Sequence, residues 1–218
     1  MERRVKPFRL TITLQTPAVI QQDITLDAIL AAALYRLDGD LDGAHSKIPL
    51  SRTDGVWHGS QVEFLDGEFQ EIPFISRLAR RDFDPSNYSG AANRKGKIRV
   101  YTGGGIYGAQ LRKLRSFIGS IAFDGCGDVD HVRMLIESLP GIGKNVRQGM
   151  GRLRAEDIAI ELLDSDQSLA IGGVPSRPVP VEVWESWHQT MAGQSTDLVG
   201  WKPPYWRDDY KALCVVRR

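Results

Sequence analysis

The sequence predicts an α+β fold of the ferredoxin-like (RRM-like) kind, a β-α-β-β-α-β unit with a long insertion and a C-terminal extension. Three observations carry this prediction. Strand-type alternation and helix-type periodicity follow one another in that order along the chain. Residues 65–115, irregular and rich in Pro, Gly, Asn and Ser, separate the second predicted strand from the third. A glycine-rich loop joins the second helix to the last strand.

The first strand is Phe8–Gln15, where Phe8, Leu10, Ile12 and Leu14 alternate with polar residues and mark a half-buried strand. Pro17 ends it. Leu26, Ile29, Leu30, Ala33, Leu34 and Leu37 then recur at steps of three and four, the apolar face of a helix from about Thr25 to Leu37. Asp23 or Thr25 caps its start, Asp27 suits the dipole, and Gly39 follows its end. A second strand spans about Gly55–Phe64. A third, Ser116–Phe123, is apolar on both faces and is expected at the centre of the sheet. Gly125 and Gly127 make the following turn. Asp128 caps a helix whose buried stripe is Val129, Val132, Leu135, Ile136 and Leu139. Pro140 stops that helix, and the last strand is Leu153–Leu163. Both helices can then pack on one sheet face and leave the other free. The predicted domains are 1–163, with 65–115 inserted, and a Pro- and Trp-rich extension over 164–218.

Composition narrows the class. The chain has 218 residues, 42% hydrophobic and 25% charged, as in ordinary soluble domains. No apolar run approaches the roughly 20 residues of a membrane helix, and no signal-peptide pattern opens the chain. Cys126 and Cys214 have neither metal-ligand nor disulfide spacing, so a reducing cytoplasm is expected. Net charge is +1, but Arg77–Arg115 holds ten Lys/Arg against Asp82 and Asp84. Such a cationic block on a neutral protein is a footprint for a polyanion.

The loop Gly141–Arg152 carries the chemistry. Gly141, Gly143, Gly149 and Gly151 bracket Lys144, Asn145, Arg147 and Gln148, a flexible backbone with cationic and neutral donors for phosphates. It is not a Walker A loop, because Asn145 follows Gly143-Lys144 and Ser138 stands where the first glycine belongs. It is not a dinucleotide fingerprint either, because Val146 replaces the third glycine and the loop leaves a helix for a strand.

A glycine loop between the second helix and fourth strand of such a fold resembles the RAMP superfamily of CRISPR-associated RNA-binding proteins. The segment Leu10–Ile20, with its Thr16-Pro17 turn, followed by Leu26-Asp27-Ala28-Ile29-Leu30-Ala31-Ala32-Ala33-Leu34 is similar to the family-five (Csf-three) subunits of type IV complexes. That resemblance covers roughly residues 8–163. It implies a non-catalytic subunit of an antiviral ribonucleoprotein that binds the 5′ handle of a guide RNA (crRNA). Its partners would be the backbone and large subunits, with target DNA contacted indirectly, and neither metal nor cofactor is implied. The basic insertion then matches the family's thumb. Arg94, Lys95, Lys97, Arg99, Arg112, Lys113 and Arg115 would contact phosphates, and Tyr88, Tyr101 and Tyr107 would stack on unpaired bases.

Two other functions fit the sequence less well. A metal-independent ribonuclease would draw its acid and base from His45, Lys47, His58 and Tyr35, while His131 and His188 have no spaced partner. A ferredoxin-like small-ligand binder or metabolic enzyme would ignore RNA.

Overall fold

The computed structural model describes residues 5–76 and 110–217. The fold is mixed α+β. Its main sheet contains β1 (Val5–Thr13), β2 (Glu63–Ser76), β3 (Gln110–Asp128) and β4 (Ile158–Leu162), in the order β2-β3-β1-β4. β1 pairs antiparallel with both β3 and β4; Leu10 stands opposite Phe123 on one side and Ile160 on the other. Residues up to Phe69 and from Phe117 onward form one compact unit, and Gln70–Ser116 forms a second.

The alternation in β1 does what the pattern requires. Phe8, Leu10 and Ile12 are fully buried, each stabilising the fold by about 1.5–3 kcal/mol. They share one core with Leu26, Leu30 and Leu34 of α1 (Leu26–Asp38) and with Val132, Leu135 and Ile136 of α3 (Val129–Glu137). The Asp128 carboxylate accepts from the His131 amide at 3.1 Å and caps α3 as expected. Gly39 ends α1 with a left-handed backbone. Thr25 stands at the N-cap without capping through its side chain, and Leu37 is exposed rather than part of the buried face. A short helix, α2 (Leu41–Ser46), follows.

The second predicted strand needs correction. Arg52–Thr53 and Val56–Trp57 form a small hairpin, Gly59 and Gln61 make isolated bridges, and regular β structure begins only at Glu63. The cause is competition for backbone partners. Ser60 spends its hydroxyl on the Asp124 amide at 2.8 Å, and the His58 carbonyl accepts from the Cys126 amide at 3.0 Å. Gly125 and Gly127 are not turn residues either. They lie inside β3, where a Cβ on Gly125 would strike the Phe8 ring and one on Gly127 the Pro49 carbonyl. They are small because other chain segments cross there. The first of the two long flanking strands reaches Ser76 and the second begins at Gln110, so both extend into the stretch expected to be irregular. The last strand is shorter than expected because a 3-10 turn occupies Ala155–Asp157.

The C-terminal segment folds into a three-stranded sheet of β5 (Val179–Pro180), β6 (Ser195–Gly200) and β7 (Lys211–Val216), in the order β6-β7-β5. α4 (Val181–Ser186) places Trp184 in a second apolar cluster with Val56, Val179 and Val215. Among the described residues, no helix is long and apolar enough to cross a membrane.

Candidate nucleic-acid interface

The glycine loop is built against residues 15–19, the turn that ends β1. The Gln15 amide donates to the Arg152 carbonyl at 2.9 Å, the Gly151 amide to the Pro17 carbonyl at 3.0 Å, and the Lys144 amide to the Val19 carbonyl at 2.9 Å. The Thr16 hydroxyl donates to the Gly149 carbonyl at 2.8 Å and accepts from the Arg152 amide at 2.9 Å. Within the loop the Ile142 amide donates to the Gly151 carbonyl at 2.8 Å. These bonds satisfy part of the loop's polar backbone within the protein itself.

This lacing explains the glycines. A Cβ on Gly141 would lie 2.6 Å from the Gly151 carbonyl oxygen, and one on Gly143 would lie 2.5 Å from the Val19 carbonyl oxygen. Gly151 is buried with φ +62, and its Cβ would strike the Ile142 carbonyl. A Cβ on Gly149 would meet the Arg152 side chain only at ordinary contact distance, but φ is +87, as the left-handed end of the 3-10 turn Val146–Gln148. Three of the four glycines therefore make room for neighbouring backbone. Asn145 takes φ 61, a conformation asparagine tolerates better than most residues.

The polar side chains of the loop face outward. Lys144, Arg147, Gln148 and Arg152 are exposed and Asn145 is half-buried. Among the described residues, no carboxylate forms an ion pair with Lys144, Arg147 or Arg152, whereas Arg154 is engaged by Glu156 at 3.5 Å. Arg36, Pro140, Asn145, Val146, Arg147 and Gln148 line a groove of about 720 Å³. A second, smaller groove of about 250 Å³ runs beside Lys144, with Val19, Ile24, Ile29 and Leu139 in its lining. Sequence inspection missed Arg36 and Arg152. Arg36 could be found only through the fold, because α1 and the loop are far apart in sequence.

The predicted thumb contacts divide into two groups. Arg94, Lys95, Lys97, Arg99, Tyr88, Tyr101 and Tyr107 lie outside the described residues. Arg112, Lys113 and Arg115 lie on β3 within the second unit, where Lys113 pairs with Glu71 at 2.8 Å across exposed strands. The sheet face opposite the helices is polar but not cationic. Arg9 makes two bonds to Asp124, at 3.1 and 3.2 Å, and a third to Glu63. Burial raises the Asp124 pKa above the ordinary carboxylate value, and Arg9 offsets part of that rise. A neutralised Arg9 is no phosphate clamp, whereas Lys144, Arg147 and Arg152 of the loop are exposed.

The ribonuclease candidates do not converge as a group. Lys47 is bonded to Asp38 at 2.7 Å. Tyr35 and His45 border a groove lined also by Pro203, Pro204 and Trp206. His58 belongs to a different cluster. Its Nδ1 is 2.5 Å from Asp166 Oδ2, its Nε2 is 2.7 Å from the Thr53 hydroxyl, and Cys126 completes the group. Burial, then the nearby Asp166 carboxylate, push the Cys126 thiol pKa up. Burial alone would raise Asp166, but hydrogen bonds from His58 and Ser168 bring it below its ordinary value.

A buried ion pair attaches the C-terminal segment. Arg177 is fully buried and bonds Asp27 at 3.0 Å, the Trp57 carbonyl at 2.6 Å, the Trp201 carbonyl at 2.8 Å and the Tyr205 hydroxyl at 2.9 Å. Tyr205 in turn donates to Asp27 at 2.6 Å. Burial raises the phenol pKa well above its ordinary value, so it remains a donor. Asp27, expected to serve the helix dipole, is a buried partner of a residue 150 positions away.

No protein-family model matches the chain, and no curated protein matches it in sequence.

Proposed function

We propose that this chain is a non-catalytic, RAMP-type subunit that holds the single-stranded 5′ handle of a guide RNA in an antiviral ribonucleoprotein complex. The observation that carries this reading is the set of exposed cations, Lys144, Arg147 and Arg152, presented on a backbone that glycines and Thr16 hold in one conformation. Three further features support it. The strand order, with the last strand beside the first and the second at the far edge, fits the expected ferredoxin-like arrangement. The loop sits between the second sheet-packed helix and the last strand. The apolar groove beside Lys144 offers a place for an unstacked base next to a phosphate contact.

The test is binding of repeat-derived single-stranded RNA across a salt series. Wild-type affinity should fall steeply with salt. Lys144→Ala/Arg147→Ala should bind more weakly and flatten the log–log slope by about 1.4, the contribution of two phosphates on a single strand. The RNA should remain uncut with EDTA present. An unchanged slope removes the loop from the interface, and cleavage replaces the reading with a ribonuclease.

A further inference from the structure

We propose that His58, Cys126 and Asp166 form a binding site for a divalent cation of the zinc class. Their ligand atoms all lie within 4.8 Å of one another, although the residues come from the segment after the small hairpin, the end of β3 and the loop after β4. This inference is independent of the RNA reading.

The stronger observation is how each side chain is held. His58 spends Nε2 on the Thr53 hydroxyl at 2.7 Å, which leaves Nδ1 facing the cluster. Asp166 spends Oδ1 on the Ser168 amide at 2.9 Å and the Ser168 hydroxyl at 2.6 Å, which leaves Oδ2. Cys126 contributes its sulfur, with the Ser51 hydroxyl 3.9 Å away. His58 and Asp166 thus each have the second polar atom fixed from outside, as metal ligands do. The backbone is fixed as well. Ser51 donates to the Cys126 carbonyl at 2.8 Å, Cys126 to the His58 carbonyl at 3.0 Å, and His58 to the Ser51 carbonyl at 2.9 Å.

One nitrogen, one thiolate and one carboxylate oxygen are a donor set that suits zinc rather than magnesium or calcium. The His58 and Asp166 atoms stand 2.5 Å apart around a proton. A tetrahedral ion would replace that proton and part them to about 3.3 Å, a small rotation for a side chain on a loop. The thiol proton leaves as the metal arrives. Three protein ligands leave a fourth position for water.

The experiment uses the full chain, stripped with a chelator and titrated with Co²⁺ and then Zn²⁺. The expected result is a one-to-one complex with a thiolate-to-cobalt charge-transfer band that Zn²⁺ bleaches. Cys126→Ser should abolish the band. Cys214→Ala should keep it, because Cys214 is fully buried elsewhere. Thr53→Val, which touches no ligand atom of the site, should weaken Zn²⁺ about 10–100-fold. Absence of the band in folded wild-type protein overturns the proposal and leaves a proton-bridged His58–Asp166 pair; so does a band that persists in Cys126→Ser. Because the first readout uses wild-type protein, a variant that fails to fold does not remove the test.

Discussion

Arg9 shows how one side chain can be cationic in sequence and neutral in function. It sits among carboxylates and is held by Asp124 and Glu63. Burial raises the Asp124 pKa, and Arg9 opposes that rise. A raised carboxyl contributes stability that is complete below its unfolded value, about 3.9, and is lost as pH climbs through the folded value. Removing Arg9 extends the rise. Arg9→Met should therefore cost about 2 kcal/mol at pH 7, where a buried carboxylate loses its partner. It should cost less at pH 4, where the carboxyl accepts a proton instead. Urea unfolding at the two pH values measures the difference, and an equal cost at both would show that Asp124 does not depend on Arg9.

Among the elements, the Gly141–Arg152 loop and the turn at Thr16 behave as one piece. The Thr16 hydroxyl both donates and accepts across it. Thr16→Val keeps the shape and removes both bonds, so a loss of about 1–2 kcal/mol is expected. If the loop grips RNA, affinity should fall as well although no cation has been touched. Gly151→Ala is the harsher variant, since φ +62 and the Ile142 carbonyl both oppose a methyl group. It should destabilise by about 1–3 kcal/mol. Thermal unfolding of both variants tests this, and a wild-type melting temperature for Gly151→Ala would contradict the close approach.

For the molecule as a whole, the decisive contact is the buried Arg177–Asp27 pair. It joins the first turn of α1 to the C-terminal segment and shares Tyr205 with both. Arg177→Met leaves Asp27 buried and unpaired, with an expected cost of about 3–5 kcal/mol. Arg177→Met/Asp27→Leu removes both charges and should recover a large part of that loss. Denaturant midpoints of Arg177→Met, Asp27→Leu and the double variant measure the coupling. If the double variant is as unstable as the sum of its singles, the pair is not what attaches the C-terminal segment.

Much of the frame was legible along the chain. The β1 alternation, the α1 and α3 stripes, the Asp128 cap and the need for glycine in the 141–151 loop all follow from residues within a few positions of one another. Local backbone geometry repeats every two or 3.6 residues, so near-neighbour spacing suffices to reveal it. Spacing could not show what those glycines press against, nor that Arg36 would border the loop. It also could not show that Asp27 would meet Arg177, or that His58 would find Asp166, 108 positions away. Those pairings depend on which strands become neighbours, and the partners share no local period. Chain order thus supplied the elements and their apolar faces, while packing chose the polar partners, because a buried charge is tolerated only where another segment brings its complement.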